Sequence, residues 1–348
     1  MDGKIRCKEI AMGNNATRWS SHISDLLDYY RIKRPGQQVH SLGGAGGFSG
    51  AEFWRVDSGG DCWCIRKWPR KHPTEERLYF MHAVLQHAWQ AGFRRLPLPL
   101  QDRQGSTFVQ QEGFFWEVTP WLAGDVVSAR VTSQEQIAAA MKTLAAFHQA
   151  VASFPVAPAG SQCSPGMQDR ARLLKQMIDQ GLAQIRHQLA ECRQELQARG
   201  RRVLEFADRH ALRQLAAVKK EMDVPLVLQP CIRDIHAQHV LFHQSEVSGI
   251  IDFGAMNNDT VATDVARLLG SLAGDDQQSW LVGMAAYQDI RPLTEIEQRF
   301  VHCFDGANVL LSPLNWLRWL IVEGRHFDDE SLVLSRLDEL IERLVESP

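Results

Sequence analysis

Hydrophobic positions in the first third of the chain change from helical to alternating spacing. The segment from Ala16 to Gly36, ATRWSSHISDLLDYYRIKRPG, has apolar residues at helical spacing and ends at Pro-Gly, which predicts a helix. Residues 37–69 follow the order strand, glycine-rich loop, strand, Gly-Gly turn, strand. A capped helix is predicted from Thr74 to Gly92, and residues 106–124 have the pattern of a hairpin. Residues from about 37 to 122 therefore predict a small antiparallel sheet with one helix.

Apolar positions in the rest of the chain are mainly at helical spacing. Residues 133–154 form a strong helical pattern, and residues 167–222 read as two long helices broken near Gly200. Short strands follow within residues 225–256, and further helices reach the end of the chain. The predicted fold is α+β with two lobes. The N-terminal lobe spans residues 1–122, with 1–36 as a helical extension, and the C-terminal lobe spans 123–348, with 167–222 as a helical insertion.

The composition of the chain argues against several classes of protein. The 348 residues carry a formal net charge of −3, which gives no general reason to expect nucleic acid as a partner. There is no run of eighteen apolar residues and no apolar signal core near the N-terminus, so we expect neither a membrane partner nor export. Seven cysteines without framework spacing, including the pair in CWC, fit reduced structural thiols and predict a cytoplasmic protein.

Two aspartates end short apolar runs in PCIRDIHAQHVLF and SGIIDFGAM. Antiparallel pairing of HVLF with GIID would bring His239 close to Asp252, with Asp234 within several ångströms. One carboxylate can then accept the proton of an attacking hydroxyl while the other holds Mg²⁺ against phosphates. Taken singly, each aspartate is better explained as a turn cap or a strand end, but the order and spacing of the pair favour a phosphoryl-transfer site.

The glycine-rich segment GGAGGFSGAEFWRV lies between two predicted strands. This context excludes a dinucleotide-binding fingerprint and a P-loop, each of which precedes a helix. It suits a hairpin loop that covers phosphates, for which the candidate residues are Gly44, Gly46, Gly47 and Ser49. A flexible hairpin with no ligand would have the same composition.

The motif of Ile232, Arg233 and Asp234, four intervening residues, His239, and then VLF and IDFG resembles the catalytic core of the aminoglycoside phosphotransferase/choline kinase-like family. That family is similar in turn to protein kinases. The resemblance runs from about residue 39 to residue 269, and its strongest part, 232–264, includes two further acidic positions, Asp259 and Asp264. It implies a bilobal protein-kinase-like fold with a nucleotide in the cleft between the lobes.

The resemblance implies roles for the residues of the C-terminal motif. Asp234 would be the catalytic base, His236 would contact phosphate or the acceptor, and Asp252 would bind the metal ion. His239 stands where the family has a metal-binding Asn. Imidazole suits Mn²⁺ or Zn²⁺ better than Mg²⁺, so the expected cofactors are ATP or GTP with Mg²⁺ or Mn²⁺.

For the nucleotide, the resemblance aligns Arg66 with the family's phosphate-binding Lys, and Lys67 is the candidate one register away. Backbone groups of Glu117–Trp121 would form the adenine hinge. A Glu on the following helix should pair with the cation. Glu75 and Glu76 lie in the first turn of that helix, whereas the family's position falls nearer His82, and the sequence leaves this pairing open.

These observations predict a small-molecule kinase that moves the γ-phosphoryl group of ATP or GTP to a hydroxyl of an unidentified acceptor. Two alternatives stay open. One is a catalytically weakened kinase-like scaffold that acts through nucleotide or partner binding, which the replacement at His239 favours. The other keeps the fold but transfers a nucleotide or phosphorylates protein. The sequence specifies neither the acceptor nor the oligomeric state.

Overall fold

The computed structural model describes residues 15–44, 50–127, 132–156, 160–325, 327 and 330–346, without the side chains of 15–21, 330, 345 and 346. The chain divides into two compact units. The first unit comprises Met1–His82 with Pro97–Trp121, and the second comprises Ala83–Leu96 with Leu122–Pro348. The second unit thus includes residues 83–96, which the sequence had placed in the N-terminal lobe.

Helices account for most of the second unit. The helices of the described residues are α1 (Asn15–Tyr29), α2 (Glu75–Gln90), α3 (Gln134–Val151), α4 (Pro165–Gln176), α5 (Leu182–Leu189), α6 (Gln194–Glu221), α7 (Ala262–Ala273), α8 (Gln277–Gln288), α9 (Glu295–Leu317) and α10 (Glu330–Glu346). Two π-helical segments, Met177–Gly181 and Arg318–Val322, follow α4 and α9. Pro313 lies inside α9, shortly before the second of them.

The strands are short. They are β1 (Gln38–Gly43), β2 (Glu52–Ser58), β3 (Asp61–Lys67), β4 (Val109–Gln111), β5 (Phe114–Pro120), β6 (Asp125–Val126), β7 (Ser161–Cys163), β8 (Pro225–Val227), β9 (Gln229–Cys231), β10 (Val240–His243), β11 (Glu246–Ile250) and β12 (Asn257–Asp259). The first unit holds a five-stranded sheet in the order β1-β2-β3-β5-β4, with every neighbouring pair antiparallel. The second holds the sheet β11-β10-β6 and the pairs β12-β9 and β7-β8.

Helix α1 packs against the five-stranded sheet. Its buried face presents Ile23, Leu26 and Leu27, which join a core that includes Trp54 and Trp116 from the sheet. The two indole rings stack with centroids 5.5 Å apart. Truncation of a fully buried Leu such as Leu26 to Ala costs about 2–5 kcal/mol in comparable cores. The predicted helical extension is therefore part of the core of the first unit.

The predicted break near Gly200 is wrong, because Gly200 lies inside α6 and the chain instead turns between α5 and α6. A Cβ atom at Gly200 would lie 2.6 Å from Cδ1 of Leu189, the last residue of α5. Gly200 is thus required by close packing of α5 against α6 rather than by a turn. Gly200 does mark a structural constraint, but the constraint comes from packing between two helices and not from a turn.

Helix α7 packs on α9 and contacts the turn Ala237–His239, while α3 packs against β11 and β9. Helix α3 begins with a capping box, in which Ser133 Oγ accepts from Gln136 N and the Gln136 side chain accepts from Ser133 N. None of the helices described is long and apolar enough to cross a membrane.

Candidate active site

Strand pairing brings His239 next to Asp252. Val240 at the start of β10 faces Ile250 at the end of β11, and the N–H of Ile251 donates to the carbonyl of His239 at 2.9 Å. Nε2 of His239 consequently lies 3.8 Å from Oδ2 of Asp252. This is the proximity that the hairpin pattern predicted.

The tautomer of His239 follows from its neighbours. Its Nδ1 lies 2.9 Å from the backbone carbonyl of Asp234, which only accepts, so Nδ1 carries the hydrogen. Burial lowers the pKa of His239, against the opposing influence of Asp252 and Asp234, and the ring is neutral at neutral pH. The lone pair on Nε2 therefore faces a carboxylate oxygen of Asp252, and two facing acceptors fit a bound cation.

Asp252 itself adopts a left-handed backbone conformation, with φ at 59°. A non-glycine residue in this region costs about 1–3 kcal/mol and persists where its surroundings hold it. Its Oδ1 accepts weakly from Gly254 N at 3.3 Å, and its carboxylate is about two-fifths exposed. One hard oxygen and one imidazole nitrogen thus form a donor set that fits Mn²⁺ as well as Mg²⁺.

The carboxylate of Asp234 forms an ion pair with Arg267. Nη2 of Arg267 donates to its Oδ1 at 2.7 Å, and about half of the Asp234 side chain is exposed. Its other oxygen, Oδ2, has no partner among the described residues. Arg267 lies on α7, and its Nη1 also donates to Ser312 Oγ on α9 at 3.4 Å. No sequence pattern indicated Arg267, which lies 33 positions after Asp234.

His236 stacks against His239, with ring centroids 3.7 Å apart and planes tilted by 36°. Burial, together with the neighbouring His239 and Arg267, lowers the pKa of His236 well below its ordinary value. Its Nδ1 is buried and has no hydrogen-bond partner in the described structure. His236 is thus a neutral ring with one unused nitrogen beside the aspartates.

The loop that carries Asp234 is anchored by Asp264. The carboxylate of Asp264 accepts from the backbone N–H groups of Ile232 and Arg233, each at 2.6 Å, and is itself fully buried. Arg233 has a φ of 67°, so these bonds hold a strained residue immediately before Asp234. Nε2 of His148 on α3 supports the same carboxylate at 3.1 Å.

His148 was missed by the sequence interpretation, although a histidine on the apolar face of a strong helix is a signal that could have found it. Its Nδ1 is 2.7 Å from the hydroxyl of Tyr287, so both ring nitrogens are engaged. Ligand atoms of His148, Cys231 and Asp264 lie within 4.8 Å of one another. Since hydrogen bonds already satisfy the imidazole and the carboxylate, this cluster is structural rather than a metal centre.

Asp259, the other acidic position of the motif, holds the start of α4. It accepts from Ser164 Oγ at 2.5 Å and from Gly166 N at 2.9 Å, and Arg233 Nε lies 3.4 Å away. Burial raises the pKa of Asp259, although these donors partly oppose it. Because Asp259 is fully buried and committed to these partners, it supports the loop rather than binding a ligand.

In the first unit, Arg66, Glu117 and His82 form a buried polar network. Arg66 on β3 faces Glu117 on β5, and Nε2 of His82 on α2 lies 2.8 Å from Glu117 Oε2. Burial raises the pKa of Glu117, but His82 and Arg66 outweigh it and lower the pKa below its ordinary value. The acid that accompanies Arg66 therefore comes from a strand, and helix α2 contributes an imidazole.

The structure also describes the other residues that the sequence offered as neighbours of the β3 cations. His82 occupies the helix position, whereas Glu75 and Glu76 are exposed in the first turn of α2. Lys67, one register away, pairs with Glu52 on β2 and lies over the ring of Phe114 at 4.2 Å. The acids described beside the two cations are Glu117 on β5 and Glu52 on β2.

The remaining candidates for nucleotide binding lie just after β1, on or just after β5, and outside the described residues. Gly44 directly follows β1, while Gly46, Gly47 and Ser49 lie outside the described residues. Glu117 lies within β5, and the N–H of Trp121 donates to the carbonyl of Cys62 at 2.8 Å. The sheet uses that N–H, so the expected contact of this segment with a base stays a prediction for its other backbone groups.

A model of one protein family matches residues 43–297. The chain belongs to the phosphotransferase enzyme family. No curated protein sequence matches the chain.

Solved structures with the same fold include several members named as phosphotransferases or kinases. An aminoglycoside phosphotransferase from Alicyclobacillus acidocaldarius is 20% identical with a TM-score of 0.58, over 88% of this chain and 89% of that one. Spectinomycin phosphotransferase, in complex with ADP and spectinomycin, is 13% identical with a TM-score of 0.65, over 94% and 97%. Amicoumacin kinase hAmiN, in complex with AMP-PNP, Ca²⁺ and its ligand, is 14% identical with a TM-score of 0.64, over 97% of each chain.

Membership of the phosphotransferase enzyme family confirms the predicted kinase-like α+β fold. At these identities the solved structures show the fold alone. Within this family member, the hairpin pairing places Asp234, His239 and Asp252 together, and Arg66 lies opposite Glu117 on the neighbouring strand. Activity therefore has to be argued from these residues.

Proposed function

We propose that the protein transfers the γ-phosphoryl group of ATP or GTP to a hydroxyl of a small molecule. The observation that carries this proposal is the group formed by Asp234, His239 and Asp252, in which a half-exposed carboxylate lies beside a facing pair of acceptors suited to a cation. Asp264 and His148 hold the loop in this arrangement. Preorganised positioning of this kind is the main protein contribution to phosphoryl transfer.

Asp234 is the proposed base. Arg267 fixes Oδ1, so the second oxygen, Oδ2, is the atom that receives the proton of the acceptor hydroxyl. As that hydroxyl oxygen bonds to the γ-phosphorus, the bond from phosphorus to the bridging oxygen breaks and the nucleoside diphosphate leaves. General-base assistance of this type contributes about 10²–10⁴-fold to a rate.

Asp252 and His239 are the proposed ligands of a divalent cation, Mg²⁺ or Mn²⁺. When bound, the cation neutralises charge on the phosphate oxygens. Asp252 offers Oδ2 and His239 offers the lone pair of Nε2, a distribution set by the bond from Nδ1 to the Asp234 carbonyl. The neutral state of the ring at physiological pH supports this assignment.

In the first unit, Arg66 and Lys67 are the proposed phosphate-binding cations, and Gly44, Gly46, Gly47 and Ser49 form the proposed covering loop. Arg66 is kept rigid by Glu117 and by stacking over Trp68, with its guanidinium carbon 3.4 Å from the ring centroid. A rigid guanidinium can bind two phosphate oxygens at once. Glu117 and Trp121 remain the proposed neighbours of the base, through groups that the sheet leaves available.

A second candidate is a kinase-like scaffold that binds nucleotide without transferring phosphate. The observations that favour it are the imidazole at the expected amide position and the ion pair that occupies Asp234. The two candidates agree on nucleotide binding and differ in product formation.

The direct test compares the wild-type protein with Asp252→Asn in two assays. Nucleotide binding is measured by thermal shift with ATP or GTP and either Mg²⁺ or Mn²⁺, and turnover is measured as nucleoside diphosphate formed. Asp208→Asn, which removes an exposed partner of Arg186, is the matched control. We expect Asp252→Asn alone to weaken metal-dependent binding by at least about tenfold. Binding without any turnover in the wild type would favour the scaffold, and no shift with any nucleotide would overturn both candidates.

A further inference from the structure

A cavity of about 190 Å³ lies within the second unit, beside the residues proposed to act on the acceptor. His236 and Arg267 form one side of it, and helices α7, α9 and α10 supply the rest of the lining. Arg267 lines the cavity and also donates to Asp234, so the cavity lies next to the ion pair of the proposed catalytic base. Its size suits a small molecule rather than a large polycyclic one.

Four of the lining residues carry hydrogen-bond donors. Arg267 and Ser271 are four residues apart on α7, and Asn308 and Ser312 are four residues apart on α9, so each pair presents one helix face. All four line the cavity, and the bond from Arg267 Nη1 to Ser312 Oγ ties the two faces together. Ser271 Oγ already accepts from Ala237 N at 3.0 Å, which leaves its O–H to donate.

Asn308 adds an unsatisfied donor to this face. Its Oδ1 accepts from Nε and Nη2 of Arg170, at 3.2 and 2.9 Å. Burial lowers the pKa of Arg170 only to about 10, so Arg170 is charged at neutral pH and can only donate. These two bonds fix the amide orientation and direct Nδ2 away from Arg170. Nδ2 is buried and has no hydrogen-bond partner in the described structure. A buried donor without a partner is costly, so a ligand acceptor atom is the expected partner.

Two of the three carboxylates that line the cavity, Asp305 and Glu339, are paired with arginines of the same lining. Asp305 is paired with Arg343 at 3.0 Å, and Glu339 is paired with Arg336 at 2.8 Å. Arg343 also binds Asp275 at 2.8 Å. Three arginines and three carboxylates line the cavity in all, so it carries no excess negative charge to attract a polycation.

We propose that this cavity binds the acceptor, and that the acceptor is a small hydroxyl compound bearing a carboxylate or a phosphate. This inference rests on the proposed function. The anionic oxygens would accept from Arg267 and from Asn308 Nδ2, with the hydroxyl toward Asp234. The hydroxyl oxygen then bonds to the γ-phosphorus as its proton passes to Asp234 and the nucleoside diphosphate leaves. Arg267 thereby links recognition of the anion to the carboxylate that receives the proton.

The test uses three probes built on one six-carbon skeleton and differing in charge: gluconate for a carboxylate, glucose 6-phosphate for a phosphate, and glucosamine for a cation. Binding to the full-length protein is measured by calorimetry without nucleotide, so the result does not depend on catalysis. Turnover of ATP in the presence of each probe is recorded separately, which distinguishes failure of this inference from failure of the proposed function.

We expect one of the two anions to bind, which also distinguishes carboxylate from phosphate, and glucosamine to bind at least about tenfold more weakly. Asn308→Asp keeps an oxygen for Arg170 but replaces the donor by an acceptor, and it should weaken the anion by about tenfold or more. Arg267→Gln should weaken the anion similarly, whereas Arg186→Gln, which breaks an exposed pair elsewhere, should not. Circular dichroism shows whether each variant folds.

Three results would overturn the inference. One is glucosamine binding as tightly as either anion. Another is no saturable binding of gluconate or glucose 6-phosphate at high millimolar concentration. Anion binding that is unchanged in both folded variants would place the anion elsewhere and would equally count against this cavity.

Discussion

The imidazole of His148 lies 3.1 Å from the carboxylate of Asp264, and both side chains are fully buried. The same carboxylate accepts the N–H groups of Ile232 and Arg233, so His148 on α3 supports the loop that carries Asp234 from more than eighty residues away. Buried hydrogen bonds to a charged group contribute about 1.5–3 kcal/mol each. The loop is thereby held independently of any ligand.

The state of His148 makes stability depend on pH. Burial lowers the pKa of His148, so in acid the unfolded chain binds a proton there that the folded chain does not. The contribution of His148 to the free energy of unfolding is therefore fully present above the pKa of the unfolded chain, about 6.5. Below that pH, each further unit of acidification reduces it by up to about 1.4 kcal/mol. We expect His148→Gln to be less stable at pH 7.5 yet to lose less stability between pH 7.5 and 5.5. Denaturant unfolding at both values checks this, with the exposed His187→Gln as control. Equal pH slopes in wild type and His148→Gln would contradict the assignment.

The facing acceptors of His239 and Asp252 predict an unusual metal preference. A neutral imidazole binds Mn²⁺ more readily than Mg²⁺, whereas an amide oxygen favours Mg²⁺. We expect wild-type nucleotide turnover to be faster with Mn²⁺ than with Mg²⁺, and His239→Asn to reverse the order. Turnover titrated with each metal in both proteins measures this. If His239→Asn left the ratio of the two metals unchanged, His239 would not be a ligand.

The two cations of β3 should differ in their effect on nucleotide affinity. Arg66 is on the face of Glu117 and His82, whereas Lys67 is engaged by Glu52 and Phe114. We expect Arg66→Gln to raise KM for the nucleotide by about tenfold or more, and Lys67→Gln to raise it less, because loss of one charge-assisted bond to phosphate costs about 1.5–3 kcal/mol. Initial rates across nucleotide concentrations distinguish them. A larger effect at Lys67 would show that the phosphate-binding residue is one register away.

Close packing at Gly200 is a separate test of the helical region. A Cβ there would lie 2.6 Å from Leu189, so Gly200→Ala should destabilise the protein despite the better helix propensity of Ala. Overpacking of this kind costs about 1–3 kcal/mol. Leu189→Ala should remove the clash, so the double variant should lose less stability than the two single changes added together. Strict additivity in denaturant unfolding would be the contrary outcome.

Sequence patterns predicted those parts of the site that pairing between neighbouring strands brings together. The hairpin register set by HVLF and GIID placed His239 beside Asp252, and Asp234 followed from its position five residues before His239. The contacts that sequence reasoning missed join distant segments. His148 and Asp264 are 116 residues apart, Asp234 and Arg267 are 33 apart, and His82 and Glu117 are 35 apart. The spacing of apolar residues cannot predict such pairs, because they depend on how whole helices and strands pack.

The same reasoning explains the error at Gly200. Glycine within a helical pattern predicts a helix end when only the local sequence is considered. Here glycine is required because Leu189 on the preceding helix occupies the space that a side chain at residue 200 would need. The actual turn, between α5 and α6, contains no glycine.

The most direct measurement for the central claim is single-turnover phosphoryl transfer by wild type and Asp234→Asn, with nucleotide binding measured alongside. Water serves as acceptor if no better one has been found. Because Asn cannot accept the hydroxyl proton, we predict a rate about 10²–10⁴-fold lower in the variant, with nucleotide and Mn²⁺ binding unchanged. Full turnover by a folded Asp234→Asn protein would contradict the account.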